Sequence, residues 1–174
     1  MGLIDKLFNR KKKPETITIC IPEESFAIIE STDLESDKAL MVVNRALYEN
    51  RDDIGLKQVF GYYCSIIFEF VDVDGNLWPT SEEFATMADY GETFDKGLKG
   101  DPKHPNALFV ARVTHKGTYQ MIWMLHNAQT AVEYLDGIIA KGNEIRCFEY
   151  HIEGDPEWKE IEWFLQDFPS KEEI

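Results

Sequence analysis

The order of structure signals between residues 61 and 152 constrains this chain more than any single motif in it: strand, helix, strand, strand, helix, strand. From Gly61 to Val71 the side chains of Tyr62, Cys64, Ile66, Phe68 and Phe70 fall on one face at period two, and only a core can absorb such a face. Asp72-Val-Asp-Gly-Asn76 turns the chain, and Thr80-Ser-Glu-Glu83 reads as a capping box in which hydroxyl and carboxylate each take a backbone amide. The helix that follows, to about Leu98, turns Phe84, Met87, Ala88, Phe94 and Leu98 inward, although Gly91 and Gly97 weaken it. Leu108 to His115 and Thr118 to Leu125 form a hairpin across Lys116-Gly117. Asn127 caps a second helix whose Ala128, Ala131, Val132, Leu135, Ile138 and Ile139 face the sheet, Gly142 ends it, and Ile145 to Ile152 is the fourth strand. The class predicted is α+β: a ferredoxin-like βαββαβ sandwich over about residues 61–152, with the strands at 61 and 118 in its centre.

The flanks add to this unit. Thr16 to Ile21 alternates as a strand, and Phe26 to Glu30 reads as another. Lys38 to Leu47 fits a helix face or a buried strand, with the strand preferred, and Glu49 to Gly55 reads as an exposed acidic loop. These N-terminal strands, residues 15–58, either extend the sheet or pack on it as a second layer. After the 59–168 domain body, in which Asp155-Pro156 opens a C-terminal helix packed by Trp158, Ile161 and Leu165, residues 169–174 are an acidic tail.

The formal net charge is -14, unevenly spread. Residues 1–13 hold five basic side chains and one acid, leaving 13 basic and 31 acidic in the rest. Such a body repels phosphate backbones, so no nucleic-acid partner is expected, and a basic protein partner fits better. In the basic tail, residues 1–14, Leu3, Ile4, Leu7 and Phe8 stand at helical spacing before Lys11, Lys12 and Lys13, the pattern of a short amphipathic foot for weak contact with an anionic membrane surface. Cys20, Cys64 and Cys147 are odd in number, far apart and set in apolar runs, which points to buried, reduced thiols and a cytoplasmic protein.

No motif certifies chemistry, so the catalytic residues are unknown and no cofactor or metal is expected. Asp72, Asp74, Gly75 and Asn76 suggest a calcium loop, but with Gly75 at the glycine position the first and twelfth ligands would be Phe70 and Ser81. His126 and His151 end strands separated by two spacings, roughly 10 Å, too far to share an ion. Phe60-Gly61-Tyr62-Tyr63 has the look of an RNA-stacking strand but lacks its basic residue. Asp89, Glu92 and Asp95 form a stripe that serves acid–base chemistry only if buried together, and is otherwise a solvated helix face. Trp78, in a loop, and Trp163, off the apolar stripe of its helix, are candidate exposed anchors for a partner.

The turn from Asp72 to Glu83, with Phe148-Glu-Tyr150, Asp155-Pro-Glu-Trp158 and Phe164-Leu165, resembles the bacterial domain-of-unknown-function family DUF695, over roughly residues 25–168. The Tyr119 to Ile152 stretch is similar to the regulator of ribonuclease E activity B, itself acidic and ferredoxin-like. The resemblance implies a bacterial cytosolic protein with no assigned reaction. Three functions follow in order of preference. The first is a non-enzymatic protein-binding or regulatory module that uses Trp78, Trp163, Asp89, Glu92 and Asp95. The second is an enzyme with a site assembled from Asp72, Asp74 and His104, and the third a membrane adaptor that uses residues 1–13.

Overall fold

The computed structural model describes residues 18–32, 38–142 and 144–168. The amphipathic foot (Leu3, Ile4, Leu7, Phe8 and Lys11 to Lys13) and the acidic tail lie outside them. Six strands form one antiparallel sheet: β1 (Phe26–Thr32), β2 (Lys38–Asn44), β3 (Tyr62–Glu69), β4 (Ala107–His115), β5 (Thr118–Leu125) and β6 (Phe148–Gly154), ordered β1-β2-β4-β5-β3-β6. The last four strands give the expected ferredoxin-like order with β3 and β5 central. The open question about the N-terminal strands resolves as extension: β2 pairs with β4 and β1 with β2, so β4 is not an edge. Lys116 and Gly117 both take positive φ in the β4–β5 turn, the requirement of a two-residue hairpin loop.

Both faces of the central strands are buried. On one, α3 (Ser81–Lys99) and α4 (Ala128–Lys141) enclose Cys64, Ile66, Phe68, Tyr119, Met121 and Trp123. On the other, α1 (Arg45–Glu49), α2 (Ile54–Val59) and the C-terminal segment cover Met41, Val43, Leu108, Ile122 and Met124. The acidic loop expected at Glu49–Gly55 is narrower, a turn over residues 50–53, because Leu47 and Leu56 drive the short helices on either side of it into this second core. The predicted strand at 16–21 is absent over its described part, where residues 18–25 lack regular structure.

The predicted C-terminal helix is also absent. Both Asp155 carboxylate oxygens take backbone amides, of Lys159 and Glu160, while Trp158 turns to positive φ and its indole donates to the Phe60 carbonyl at 2.7 Å. Those side-chain bonds replace the helical ladder, and only a 3-10 turn, Glu162–Phe164, remains. At the start of β3 Tyr62 is exposed, and so is Ile139 on α4, both predicted to face inward.

α3 starts as half of a capping box. The Thr80 hydroxyl accepts the Glu83 amide, but the Glu83 carboxylate turns away to accept the Val71 amide at 2.9 Å and Arg146 Nε at 3.1 Å. This buried carboxylate ties α3, the end of β3 and the approach to β6 together. The Arg146 hydrogen bond holds the Glu83 pKa below the usual carboxylate value. Its contribution is therefore complete above the unfolded pKa of about 4.3 and lost as pH falls through the lower folded value. Urea unfolding is expected to show stability declining below about pH 4.5, with Glu83→Gln flattening the decline and costing about 2 kcal/mol at neutral pH.

Gly97 has a packing reason that its helix penalty conceals. A Cβ there would sit 2.0 Å from the ring of Tyr134, whose hydroxyl donates to the Thr93 carbonyl at 3.2 Å. Gly97→Ala is expected to lose about 1 kcal/mol in the native protein, since overpacking outweighs the helix-propensity gain. In a Tyr134→Ala background the same change is expected to stabilise, and urea midpoints check both signs.

Candidate functional site

Six strands at about 4.8 Å each span roughly 29 Å, while two helices of about 10 Å cover roughly 20 Å. The uncovered strip falls on β1 and β2, because α3 lies over β4 and β5 and α4 is tied toward β6 by the Tyr150–Asp136 hydrogen bond. There the side chains of Phe26 and Ile28 are each 52 % exposed on the helix-bearing face. Between this strip and α3 runs a cleft of about 210 Å³. Phe26, Val42, Phe109 and Met121 make its apolar floor, and Glu24, Glu92 and Asp95 its rim. Arg112, between Val42 and Met121 in the register, is the one cationic residue among its described lining.

Local sequence builds the cleft. A bulge between Phe109 and Ala111 breaks the β4–β5 register, and buried Asn44 donates to the Phe109 carbonyl at 2.9 Å. The same side chain caps α1 by accepting the Ala46 amide at 3.1 Å. Above it Lys99 Nζ lies 2.7 Å from both Glu24 and Asp95, and the second Asp95 oxygen accepts the Trp123 indole N–H at 2.8 Å. Burial acts most strongly on Lys99 and would lower its pKa, but hydrogen bonds and charge from the two carboxylates together leave it raised. The charged chain from Glu24 to Trp123 thus closes one end of the cleft.

The sequence candidates scatter around this site. Asp89 and Glu92 are exposed on α3, with Lys96 3.6 Å from Glu92, while Asp95 is half-buried and structurally engaged. The three do not form a buried acid–base group. Trp78 is half-buried with Lys38 Nζ 4.4 Å from its ring centroid. Trp163 is 51 % exposed and packs edge-on against Phe164 and tilted against Phe168 on the opposite side of the sheet from α3, so it shares no surface with the stripe.

Asp72 accepts the Thr80 hydroxyl and Asp74 the Asn76 and Trp78 amides at the start of α3. His104 lies beyond the end of this 19-residue helix, which is about 28 Å long. The proposed trio of Asp72, Asp74 and His104 is not brought together. Among the described residues no group of three or more His, Cys, Asp or Glu could hold a metal, and no helix is long and apolar enough to cross a membrane.

Sequence reasoning missed Arg112, Glu24 and Phe26. Arg112 had a signal: a lone charge inside the apolar run from Leu108 to Val113. Glu24 and Phe26 had none, since only the pairing of β1 at the far side of β2 carries them to α3.

The chain matches the model of a family of unknown function, DUF695, over residues 31–166, more than three quarters of its length. It belongs to that family. No curated protein and no solved structure matches this DUF695 chain, and no match supports the likeness of its C-terminal part to the regulator of ribonuclease E activity B.

The thiols differ from expectation. Only Cys64 is buried, its pKa pushed up to about 12 by burial, whereas Cys20 and Cys147 are exposed. A chromogenic disulfide reagent is expected to titrate two thiols in the native protein and the third only on unfolding.

Proposed function

We propose that this protein is a binding or regulatory module, not an enzyme, and that it receives a cationic protein segment at the cleft beneath α3. The observation that carries the reading is the joining of an apolar floor to the exposed Glu92 at its rim, with the exposed Asp89 one turn before it on α3. A hydrophobic centre with a charged rim is the anatomy of a protein-binding patch. The net charge of -14 steers basic partners toward it and repels nucleic acid. Trp163 and its aromatic neighbours, on the opposite side, form no part of this surface. The family resemblance and three unpaired cysteines favour a bacterial cytosolic setting.

The test is affinity capture from nuclease-treated bacterial lysate, with the native protein beside an Asp89→Lys/Glu92→Lys double variant. The native protein is expected to retain a basic partner at moderate salt and release it at high salt, and the variant to retain none of it. Identical bound sets for the two proteins would overturn the reading.

A further inference from the structure

The cleft holds a charge pattern that an ordinary cationic helix does not use. Its rim is acidic, yet Arg112 stands at the floor, among Val42, Phe109 and Met121. A guanidinium placed there offers a planar fork of donors suited to a carboxylate. Beside it Tyr119 is 1 % exposed, and its hydroxyl makes no hydrogen bond of good geometry among the described residues.

Two observations place that hydroxyl just behind the cleft wall, beneath Gly91 and next to Arg112. A Cβ on Gly91, which lines the cleft, would come within 3.1 Å of it. Burial pushes the Tyr119 phenol up, Arg112 acts to lower it and Glu92 to raise it, so the group stands near both. Arg112 can only donate, which leaves the phenolic proton in need of an acceptor. Arg112 approaches the hydroxyl as a donor, and a buried phenolic proton without an acceptor is costly, so the pair favours negative charge brought to Arg112 from the cleft.

Size narrows the ligand. At about 210 Å³ the cleft falls below the roughly 300–1,000 Å³ of ordinary small-molecule pockets, and it suits one side chain with a carboxylate. An anion alone would meet Glu24 and Glu92 as repulsion. A chain that carries positive charge a few residues from a carboxylate meets both halves of the pattern.

We propose that the cleft captures the carboxyl terminus of a partner polypeptide. The terminal carboxylate sits on Arg112, which the Tyr119 hydroxyl backs from behind the cleft wall, the last, apolar side chain rests on the Phe26 and Phe109 floor, and basic residues before it lie along Glu24 and Glu92. This rests on the cationic-segment reading above and adds the end of the chain to it.

The probe is a fluorescent pool of octapeptides with lysine or arginine at the three positions before a final Leu, Ile, Val, Phe or Met. It is prepared with free and with amidated ends and followed by anisotropy. Free-ended peptides are expected to bind the native protein at least about tenfold more tightly than amidated ones. Arg112→Gln should erase that ratio, Arg112→Lys should restore part of it, and Glu92→Gln should weaken both pools alike. Tyr119→Phe removes only the hydroxyl and should lower the ratio, which keeps the test decisive if Arg112→Gln fails to fold. Equal binding of the two pools, still dependent on Glu92, would overturn terminal capture and leave the cationic-segment reading standing. No binding of either pool to the native protein would overturn both.

Discussion

The two-sided burial of β5 is the constraint on which the rest of this structure depends. Met121, Ile122, Trp123, Met124 and Leu125 are all buried, so consecutive side chains on both faces of one strand need cover. The two crossover helices serve only one face. The other has to be closed by chain outside the βαββαβ unit, and the α1–α2 segment together with Trp158, Ile161 and the residues after them does so. Neither flank is an appendage, since each fills a layer that the central strand requires.

The same geometry creates the candidate site. Widening the sheet by β1 and β2 without adding a helix to this face leaves a strip on which Phe26 and Ile28 stay half in water. The strip is bounded by a charged chain in which Lys99 satisfies two carboxylates and Asp95 satisfies the Trp123 indole. A buried indole N–H without an acceptor is unfavourable, so Asp95 is retained by the core as much as by the surface. The negative charge at the cleft thus has two parts: Asp95 and Glu24, held in place by Lys99, and Glu92, out in solvent.

The ferredoxin-like unit was legible because its signals are local. Period-two alternation in β3, the Asn127 and Gly142 caps of α4 and the Lys116-Gly117 turn depend on neighbouring residues and backbone sterics alone. The flanks were less so. Asp155-Pro156 carries the marks of a helix start, yet Asp155 spends both oxygens on a tight turn that seats Trp158 against the Phe60 carbonyl. Glu83 looked like the reciprocal half of a capping box, but Arg146, 63 residues away, competes for it and wins. The acidic stripe of α3 was visible, whereas the residues that make it part of a cleft arrive from β1 and β4.

Sequence alone determined the α+β class, the order and pairing of β3 to β6, the ends of α4, the acidic balance and the family signature. All of these follow from short-range periodicity, caps and composition. Only the tertiary structure decided that β1 and β2 extend the sheet beyond its helices, that Met121 and Tyr119 lie beneath Gly91, and that Arg112 reaches the same cleft. Those outcomes depend on which distant segments compete for one sheet face, and that competition is settled by burial and hydrogen-bond satisfaction over the whole chain.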